Sequence, residues 1–426
     1  MNDHAQTPIE SLDARVDLLN LAGWSILDSR EDDHGYQIIA EVTHPVTSCP
    51  ACLTSTLPYR FGAREHTFVD LPIHGKYVQI LARLRRYRCR ECHKTFLDVA
   101  PQVSSHHHTT MRLVNYVERE SLSLSSRTFL SLGRELGVPE DTVRHIFDSC
   151  VRSLEQARTL RTPTILGIDE IHLLGAPRCI LTDIGGKTVI DLLPNRTQET
   201  VIKWLRQLPS KERIEAVTMD MWQPFRNSVR EVLPQARIIV DHFHAVKMAN
   251  EALERVRKET RAALSDTQRR RLMRDRYLLL KRKRDLTDKD QFILETWTEN
   301  FPALGKAYAM KEGFFEIWNA KTVDEANDLY YAWLCQITPE ISDAFVPISL
   351  TMEEWGDEIF NYWEYDGKVS NAFTEAKNGA LKAVNRAGRG YSLPVIRAKV
   401  IFAEEIARKY PRPRKPFQPA REMGKE

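Results

Sequence analysis

Three aspartates each lie at the end of a short apolar run. The segments TILGIDE, IEAVTMD and ARIIVD contain Asp169, Asp220 and Asp241, and each run is typical of a buried strand. Side chains at the strand ends of an open α/β sheet gather at one edge, where functional sites form. A carboxylate there either caps a turn or helix, or binds a divalent cation such as magnesium, which prefers oxygen ligands. For Asp241, which precedes HFH and begins a predicted helix, a cap or a supporting role near the site is the better interpretation.

Four of the seven cysteines form two Cys-x-x-Cys pairs, CPAC at Cys49 and Cys52 and CREC at Cys89 and Cys92. Each pair lets two thiolates approach one ion from the same side, so two pairs complete the all-sulfur tetrahedron that zinc prefers. We predict a structural zinc, because four sulfur ligands leave no open position for catalysis. A redox dithiol, free thiols, or competition from His93 and the His106–His108 triplet are the alternatives.

A hairpin must bring the two pairs together, because 36 residues separate them. The segment YVQILARLRRYRC, residues 77–89, alternates apolar and basic positions and predicts one of its strands. The basic positions should form an exposed surface near the zinc, where they are candidate DNA contacts: Arg83, Arg85, Arg86 and Arg88.

The chain has 426 residues, enough for two or three cores. Its net charge of +3 is small, so binding to a polyanion must rest on local clusters of charge. No apolar stretch approaches the roughly 18 residues that span a bilayer, and the polar start lacks the pattern of a signal peptide. These features predict a cytoplasmic protein without disulfides.

Residues 110–160 are predicted to be helical. Within them, RTFLSLGRELGVPEDTVRHIFDSC indicates two short helices joined by a turn that contains Gly137. This is the helix-turn-helix pattern, whose second helix can enter a major groove of DNA. Thr142, Arg144 and His145 would then face the DNA, whereas an ordinary helical hairpin is the alternative.

From Pro163 onwards the pattern alternates between strands and helices. The order is three strands, a helix, a strand, a helix, a strand and a long helix. This order predicts an α/β arrangement. Residues 245–360 are mostly helical and rich in tryptophan, and we predict an insertion with its own core. Between Arg255 and Arg284, 13 Lys or Arg stand against three acids. Such a run is either a solvated face or a phosphate-binding surface.

The order of elements resembles the ribonuclease-H-like fold of DDE transposases and retroviral integrases. Over roughly residues 45–402, the chain is similar to the ISL-three family of bacterial insertion-sequence transposases. The resemblance rests on the paired CPAC and CREC motifs, the two helices, GIDE, TMDMWQPFRNSVREVLPQARIIVDHFHAVKMAN and SNAFTEAKNGALKAVNRAGRGYS. The resemblance implies that Asp169, Asp220 and Glu375 hold two magnesium or manganese ions. It also makes Lys382 and Arg386 candidate contacts to the phosphates of the transposon end.

Successive strand residues point to opposite faces, so only one acid of the neighbouring pair Asp169 and Glu170 can face the metals. We assign the chemistry to Asp169 and expect Glu170 to support His172, which shares its side of the strand. The implied activity is cleavage at the terminal inverted repeats followed by strand transfer into target DNA, by a homodimer or larger assembly near the nucleoid. A DNA-binding regulator or a structure-specific nuclease with the same fold is the alternative.

The expected fold class is multidomain α/β, with a ribonuclease-H-like catalytic core that carries an α-helical insertion and follows a zinc-binding module and a helix-turn-helix domain. The predicted segments are the zinc module at 1–100, the helix-turn-helix domain at 101–160, the catalytic domain at 161–245 and 366–405, the insertion at 246–365 and a basic, disordered tail at 406–426.

Overall fold

The structure is a computed structural model that describes residues 21–104, 106–125, 127–365, 369–388 and 390–411. The chain forms two compact units, one built from residues 1–157 and 402–426 and the other from residues 158–401. The start of the predicted zinc module (1–20) and most of the predicted tail (412–426) lie outside the described residues. Within the part of the chain that is described, no helix is long and apolar enough to cross a membrane.

The first unit is built on a seven-stranded sheet. Its strands are β1 (Trp24–Glu31), β2 (Gly35–Val42), β3 (Tyr59–Ile73), β4 (Lys76–Arg88), β5 (Thr95–Leu97), β6 (Val103–Ser104) and β7 (Thr109–Thr110). The order is β1-β2-β4-β3-β7-β6, with β5 paired to β4. The strand predicted from the alternating segment at 77–89 is confirmed as β4.

Strands β3 and β4 form a long antiparallel hairpin. In β4, Val78, Ile80, Ala82 and Leu84 are buried, and the residues between them are exposed or half-buried. Of these, Ile80, Ala82 and Leu84 join a core that includes Phe68 of β3. Because the apolar residues recur at every second position, one face of the hairpin packs on this core while the other meets solvent.

Three helices complete the first unit: α1 (Met111–Leu122), α2 (Phe129–Leu136) and α3 (Glu140–Ala157). Thr128 begins α2 with a capping box, and Gly137 ends it at a φ of 68°, a conformation that favours glycine. A Cβ on Gly137 would also lie 2.6 Å from a ring carbon of Tyr77. The rings of Phe129 and Phe147 pack 5.0 Å apart between α2 and α3. The two predicted helices and their glycine turn are thus confirmed as elements, and their role in DNA binding stays a prediction.

The second unit contains a five-stranded sheet. Its strands are β8 (Ile165–Leu173), β9 (Ala176–Asp183), β10 (Thr188–Leu193), β11 (Ala216–Met219) and β12 (Arg237–Val240). The order is β10-β9-β8-β11-β12, in which the first three strands along the chain are antiparallel neighbours and β11 and β12 add in parallel.

Eleven helices are described for the remainder of the chain, and the last belongs to the second unit up to Ile401. They are α4 (Gln198–Leu205), α5 (Gln223–Val232), α6 (His242–Ala262), α7 (Asp266–Arg274), α8 (Arg276–Leu280), α9 (Asp288–Asn300), α10 (Pro302–Ile317), α11 (Val323–Leu334), α12 (Ser342–Glu364), α13 (Ala372–Ala387) and α14 (Leu393–Lys409). Helix α14 therefore extends into the segment predicted to be a disordered tail.

One continuous hydrophobic cluster runs from the five-stranded sheet into the helical segment between α6 and α13. It includes Leu166 of β8, Leu253 of α6, and Trp333 and Trp355 of the later helices. The prediction of a separate core for the insertion is wrong, because this cluster includes residues of both the sheet and the helical segment, and α12 packs directly against β12. Most tryptophans of this segment are core residues: Trp297, Trp333, Trp355 and Trp363 are buried, and Trp318 packs half-buried against the same cluster.

Candidate active site

Strand register places the three aspartates beside one another. Ile168 of β8 pairs with Met219 of β11, and Met219 pairs in turn with Val240 of β12. The residues that follow these three in the chain are Asp169, Asp220 and Asp241. The three carboxylates therefore lie side by side, one position beyond the last paired row of the parallel strands. Asp169 does not end its strand as predicted, because β8 continues to Leu173 in antiparallel pairing with β9. The parallel strands β11 and β12 end one residue before their aspartates, and the Asp169 side chain lies beside that edge of the sheet.

Helix α6 begins at the same edge and brings a histidine to the carboxylates. Asp241 caps this helix, since its Oδ1 accepts a hydrogen bond of 3.3 Å from the amide of Phe243. His244, in the first turn, places its Nε2 2.9 Å from Oδ1 of Asp220. Among the described residues, Oδ2 of Asp241 is buried without a hydrogen-bond partner. The predicted cap is confirmed, and the cap residue still has one oxygen free to bind a ligand.

Helix α13 docks on the sheet through a buried polar stripe that recurs every three or four residues. Asn371 accepts a hydrogen bond of 3.2 Å from Thr218, and the hydroxyls of Thr374 and Thr182 lie 2.7 Å apart. One turn later, Nδ2 of Asn378 donates to Oδ2 of Asp169 at 2.7 Å. Glu375 lies beside this stripe and is exposed.

The ligand atoms form two overlapping groups, each with all members within 4.8 Å of one another. One group is Asp169, Asp220 and His244, and the other is Asp241, His244 and Glu375. Among the described residues, the three predicted acids do not themselves form one group of that closeness. The structure adds His244 to the cluster, and it also adds Asp241, for which the sequence predicted a cap or a supporting role.

Asn378 is a further residue that the sequence did not assign to the site. The signal for it was present, because it follows Glu375 by three residues and so shares a face of the helix. Its contact with Asp169 nevertheless depends on how α13 docks, which local spacing does not determine.

The cluster holds excess negative charge away from water. Burial, together with the neighbouring Asp220, raises the pKa of Asp169 well above its usual value. Burial also raises the pKa of Asp241 to about 6. The hydrogen bond to Asp220 raises the pKa of His244. Carboxylate oxygens, an imidazole and the unpartnered oxygen of Asp241 fit a divalent cation, which would balance the charge in place of protons.

Glu170 has a different partner from the one expected. It forms an ion pair with Arg196 rather than with His172, which is exposed on the same strand. The Arg196 guanidinium in turn lies over the indole of Trp222, 4.1 Å from the ring centre. Glu170 therefore lies at the rim of the site as part of a Glu170–Arg196–Trp222 stack.

The four cysteines of the first unit form a close cluster. The sulfurs of Cys49 and Cys92 lie 3.6 Å apart, as do those of Cys52 and Cys89. All four lie within 4.8 Å of one another. A tetrahedron with zinc–sulfur bonds of about 2.3 Å has sulfur–sulfur edges of about 3.8 Å, so these four residues fit zinc.

The four arginines of β4 have different surroundings. Arg83 is exposed, and Arg86 and Arg88 lie over the ring of Phe61 at 5.4 and 5.7 Å. Arg85 is instead bound to the buried carboxylate of Asp98 and to a backbone carbonyl. Its guanidinium holds β4 to the segment after β5, so Arg85 supports the fold and does not belong to the exposed basic surface predicted from the sequence.

The other predicted DNA contacts lie on helix surfaces. On α3, Arg144 and His145 are exposed and Thr142 is half-buried, with Arg144 paired to Glu140 at 2.8 Å. On α13, Lys382 and Arg386 are both exposed. In the basic run, Arg257 is buried and paired with Glu254. Within the described part of this run, exposed arginines without an ion pair lie on α7: Arg270, Arg271 and Arg274.

Comparisons with known proteins agree with this geometry. Residues 166–399 match a family of DDE transposases of the ISL-three type, described as "Transposase", and residues 45–92 match the "zinc-finger of transposase IS204/IS1001/IS1096/IS1165". The chain is 25% identical over 330 residues to the "Transposase for insertion sequence element IS1001" of Bordetella parapertussis, a match that covers 76% of this chain and 80% of the relative. The first match includes more than half of the chain and contains the whole carboxylate cluster. The chain therefore belongs to the ISL-three family of transposases and carries an N-terminal zinc ribbon.

Proposed function

We propose that this chain binds the terminal inverted repeats of an insertion sequence and catalyses metal-dependent cleavage of the DNA and its strand transfer. The observation that carries the proposal is the convergence of Asp169, Asp220, Asp241, His244 and Glu375 at one edge of the five-stranded sheet. The relative is named as the transposase of its insertion sequence, which supports the same activity here.

We further propose a ribonuclease-H-like core made of 161–245 and 366–405, with 246–365 as the helical insertion. The sheet order, with three antiparallel strands extended by two parallel ones, supports this fold. The cap of α2, its glycine end and the exposed face of α3 support a helix-turn-helix within 101–160. Residues 1–100, with the zinc ribbon, would form the remaining module.

Magnesium or manganese ions, when bound, would stabilise charge on the attacking and leaving oxygens of an in-line displacement at phosphorus. Asp169, Asp220 and Glu375 are the proposed ligands, and the free oxygen of Asp241 makes it a fourth candidate. His244 holds the carboxylate of Asp220 by its ring nitrogen. Asn378 donates to Oδ2 of Asp169, and the backbone amide of Glu170 donates to its Oδ1 at 2.6 Å, so these two hydrogen bonds fix the rotamer of Asp169.

DNA is the proposed partner at several surfaces. Arg83, Arg86 and Arg88 would contact the phosphate backbone beside the zinc, and Thr142, Arg144 and His145 would read the repeat. Lys382 and Arg386, exposed on the helix that carries Glu375, would hold the transposon end near the acids. Because an insertion sequence has two ends that must be brought together, the reaction would need at least a homodimer.

The test is cleavage of a labelled duplex that carries the terminal repeat of the element encoding this chain, in the presence of magnesium. The parent should nick the end and join it to target DNA, whereas Asp169→Asn, Asp220→Asn and Glu375→Gln should each lose at least about a hundredfold in rate. Glu299→Gln, which changes an exposed acid on α9, is the matched control and should retain the parent rate. Full activity in the three site variants would refute the site. Nicking without joining would favour a structure-specific nuclease.

A further inference from the structure

A pocket of about 260 Å³ opens directly beside the carboxylate cluster. Asp220 and His244 form one wall of it, and Arg196, Trp222 and Lys247 are among the residues that form the rest. Whatever occupies this pocket is therefore adjacent to a phosphate held at the acids. The proposed function assigns no role to this pocket.

Trp222 is held rigidly in this pocket and is still exposed. Its amide donates to the carbonyl of Asp220 at 2.7 Å, and its carbonyl accepts from Phe225 in the first turn of α5 at 2.9 Å. Arg196 covers one face of the indole, and Glu170 holds Arg196 in place. The side chain nevertheless remains 38% exposed. A large aromatic ring that is fixed by its neighbours and left in contact with water beside a reactive centre is suited to binding a ligand.

The chemistry of the lining matches a nucleotide. An indole surface stacks on any base, because every base has a π-face, and Lys247 supplies positive charge for the backbone. Lys247 is well exposed and lies 3.7 Å from Glu251, a contact that is weak in water. Met221 and Met248 add flexible apolar surface that adapts to different bases.

The size of the pocket limits its occupant. At about 260 Å³ this pocket is smaller than the roughly 300–1,000 Å³ of sites for drug-sized ligands, and its size suits a single planar base. A base can reach it only after it leaves the helical stack, as nucleotides do in enzymes that need access to one position of a duplex.

We propose that this pocket receives one unstacked nucleobase next to the scissile phosphodiester, with Trp222 as the stacking surface and Arg196 as the group that keeps the indole in place. The inference rests on the proposed function and adds to it a residue that positions the substrate. Stacking on Trp222 offsets the unfavourable unstacking of the base and aligns the neighbouring phosphate with the acids.

The test combines protein variants with duplexes that lack single bases. Trp222→Ala, Trp222→Phe and the control Phe292→Ala, which removes an exposed ring on α9, are compared with the parent. Each protein is given the magnesium-containing cleavage assay with the intact terminal-repeat duplex. Each is also given a series in which one abasic nucleotide is moved through the positions around the cleavage point.

With the intact duplex, Trp222→Ala should lower the cleavage rate about 10- to 100-fold, whereas Trp222→Phe and Phe292→Ala should stay within about threefold of the parent. At one abasic position, the difference between Trp222→Ala and the parent should shrink to about twofold, because no base remains to be unstacked or stacked.

A defect of equal size at every abasic position would mean that Trp222 only supports the fold, and would overturn the inference. An unchanged rate in Trp222→Ala would overturn it as well, while the proposed transposase activity would stand. If the parent cleaves no terminal-repeat duplex, the proposed function itself fails and this inference fails with it.

Discussion

At the scale of single residues, the carboxylate cluster is a charged site that the fold tolerates at a cost. Asp169 and Asp241 are buried, and the cluster is closed by His244 and the exposed Glu375. Like charges that are taken out of water together disfavour full ionisation, and this explains the raised pKa values of both aspartates. A divalent cation bound at these oxygens would remove this cost, so the arrangement that weakens the metal-free protein also favours binding of the proposed metal.

The first prediction concerns pH in the absence of metal. The folded-state pKa of Asp169, Asp241 and His244 all lie above their unfolded values. Each group therefore adds stability that is complete below its unfolded pKa and is lost as pH rises through its folded pKa. Without metal, the melting temperature should decrease as the pH is raised from 5 to 8. In Asp169→Asn this decrease should be smaller by several degrees.

Thermal unfolding across this pH range, with and without manganese, measures the effect. Manganese should raise the melting temperature of the parent more at pH 8 than at pH 5, and should raise that of Asp169→Asn much less. His172→Gln, an exposed histidine on the same strand, is the control and should follow the parent. A parent that becomes more stable with rising pH in metal-free buffer would contradict this account.

At the scale of elements, the site depends on how closely α13 approaches the sheet. Gly167 of β8 permits that approach, because a Cβ on it would lie 2.3 Å from the hydroxyl of Thr182 and 3.0 Å from that of Thr374. The glycine is needed here for space rather than for its backbone freedom. The hydrogen bond from Asn378 to Asp169 then fixes the helix next to the acids.

Gly167→Ala should therefore displace α13 and destabilise the protein by about 1–3 kcal/mol, with a large loss of cleavage. Gly379→Ala is the matched control on α13 itself, since a Cβ there meets no atom within 4 Å. Because alanine favours a helix, this second change should stabilise the protein by about 0.5–1 kcal/mol. Urea unfolding of the two variants measures the difference, and equal effects would refute the packing argument.

The helical segment between α6 and α13 also supports the site through a buried ion pair. Arg226 of α5 donates two hydrogen bonds, at 2.7 and 2.8 Å, to the carboxylate of Glu358 on α12. The guanidinium also lies over Trp355, 4.5 Å from the ring centre. Helix α5 begins just after Asp220, so this ion pair connects the segment that carries Asp220 to the helical segment.

Among the described residues, Arg226→Met should leave the buried Glu358 with Arg230 as its remaining cationic partner, and should cost about 3–5 kcal/mol of stability. Arg206→Met breaks the exposed pair with Glu231 and should cost no more than about 1 kcal/mol. The midpoints of urea unfolding for the two variants compare these values directly. If Arg226→Met unfolds at the parent's midpoint, the ion pair does not support α5.

At the scale of the whole molecule, the proposed DNA recognition and the proposed chemistry belong to different units of the chain. The zinc ribbon and the three helices α1 to α3 lie in one unit, and the carboxylate cluster lies in the other. The four clustered cysteines come from two separate segments of the first unit, so a structural zinc held by them would contribute its binding energy to folding.

Removal of zinc should therefore abolish binding to the terminal repeat, whereas loss of a catalytic acid should not. Cys49→Ser should weaken binding at least about tenfold in a mobility-shift assay, and Asp169→Asn should bind as the parent does. Cys335→Ser, which changes an exposed cysteine at the end of α11, is the control and should be silent. Binding by Cys49→Ser at the parent's affinity would refute a role for the zinc ribbon in recognition.

The sequence by itself determined the features that rest on local chemistry. The alternation in β4, the glycine end of α2, the two Cys-x-x-Cys pairs and the order of strands and helices depend on neighbouring residues. Backbone sterics and side-chain periodicity act over a few positions, so these features could be predicted. The family could also be identified, because its motifs are short and occur in a fixed order along the chain.

Only the tertiary structure decided which residues share the site. Strand β8 runs past Asp169 because β9 pairs with it, Arg85 faces inward because Asp98 lies opposite, and the helical segment shares a core with the sheet. His244 and Asn378 join the acids only through strand register and helix docking. These contacts link residues up to 209 positions apart, and their energies depend on packing and burial that no local pattern contains.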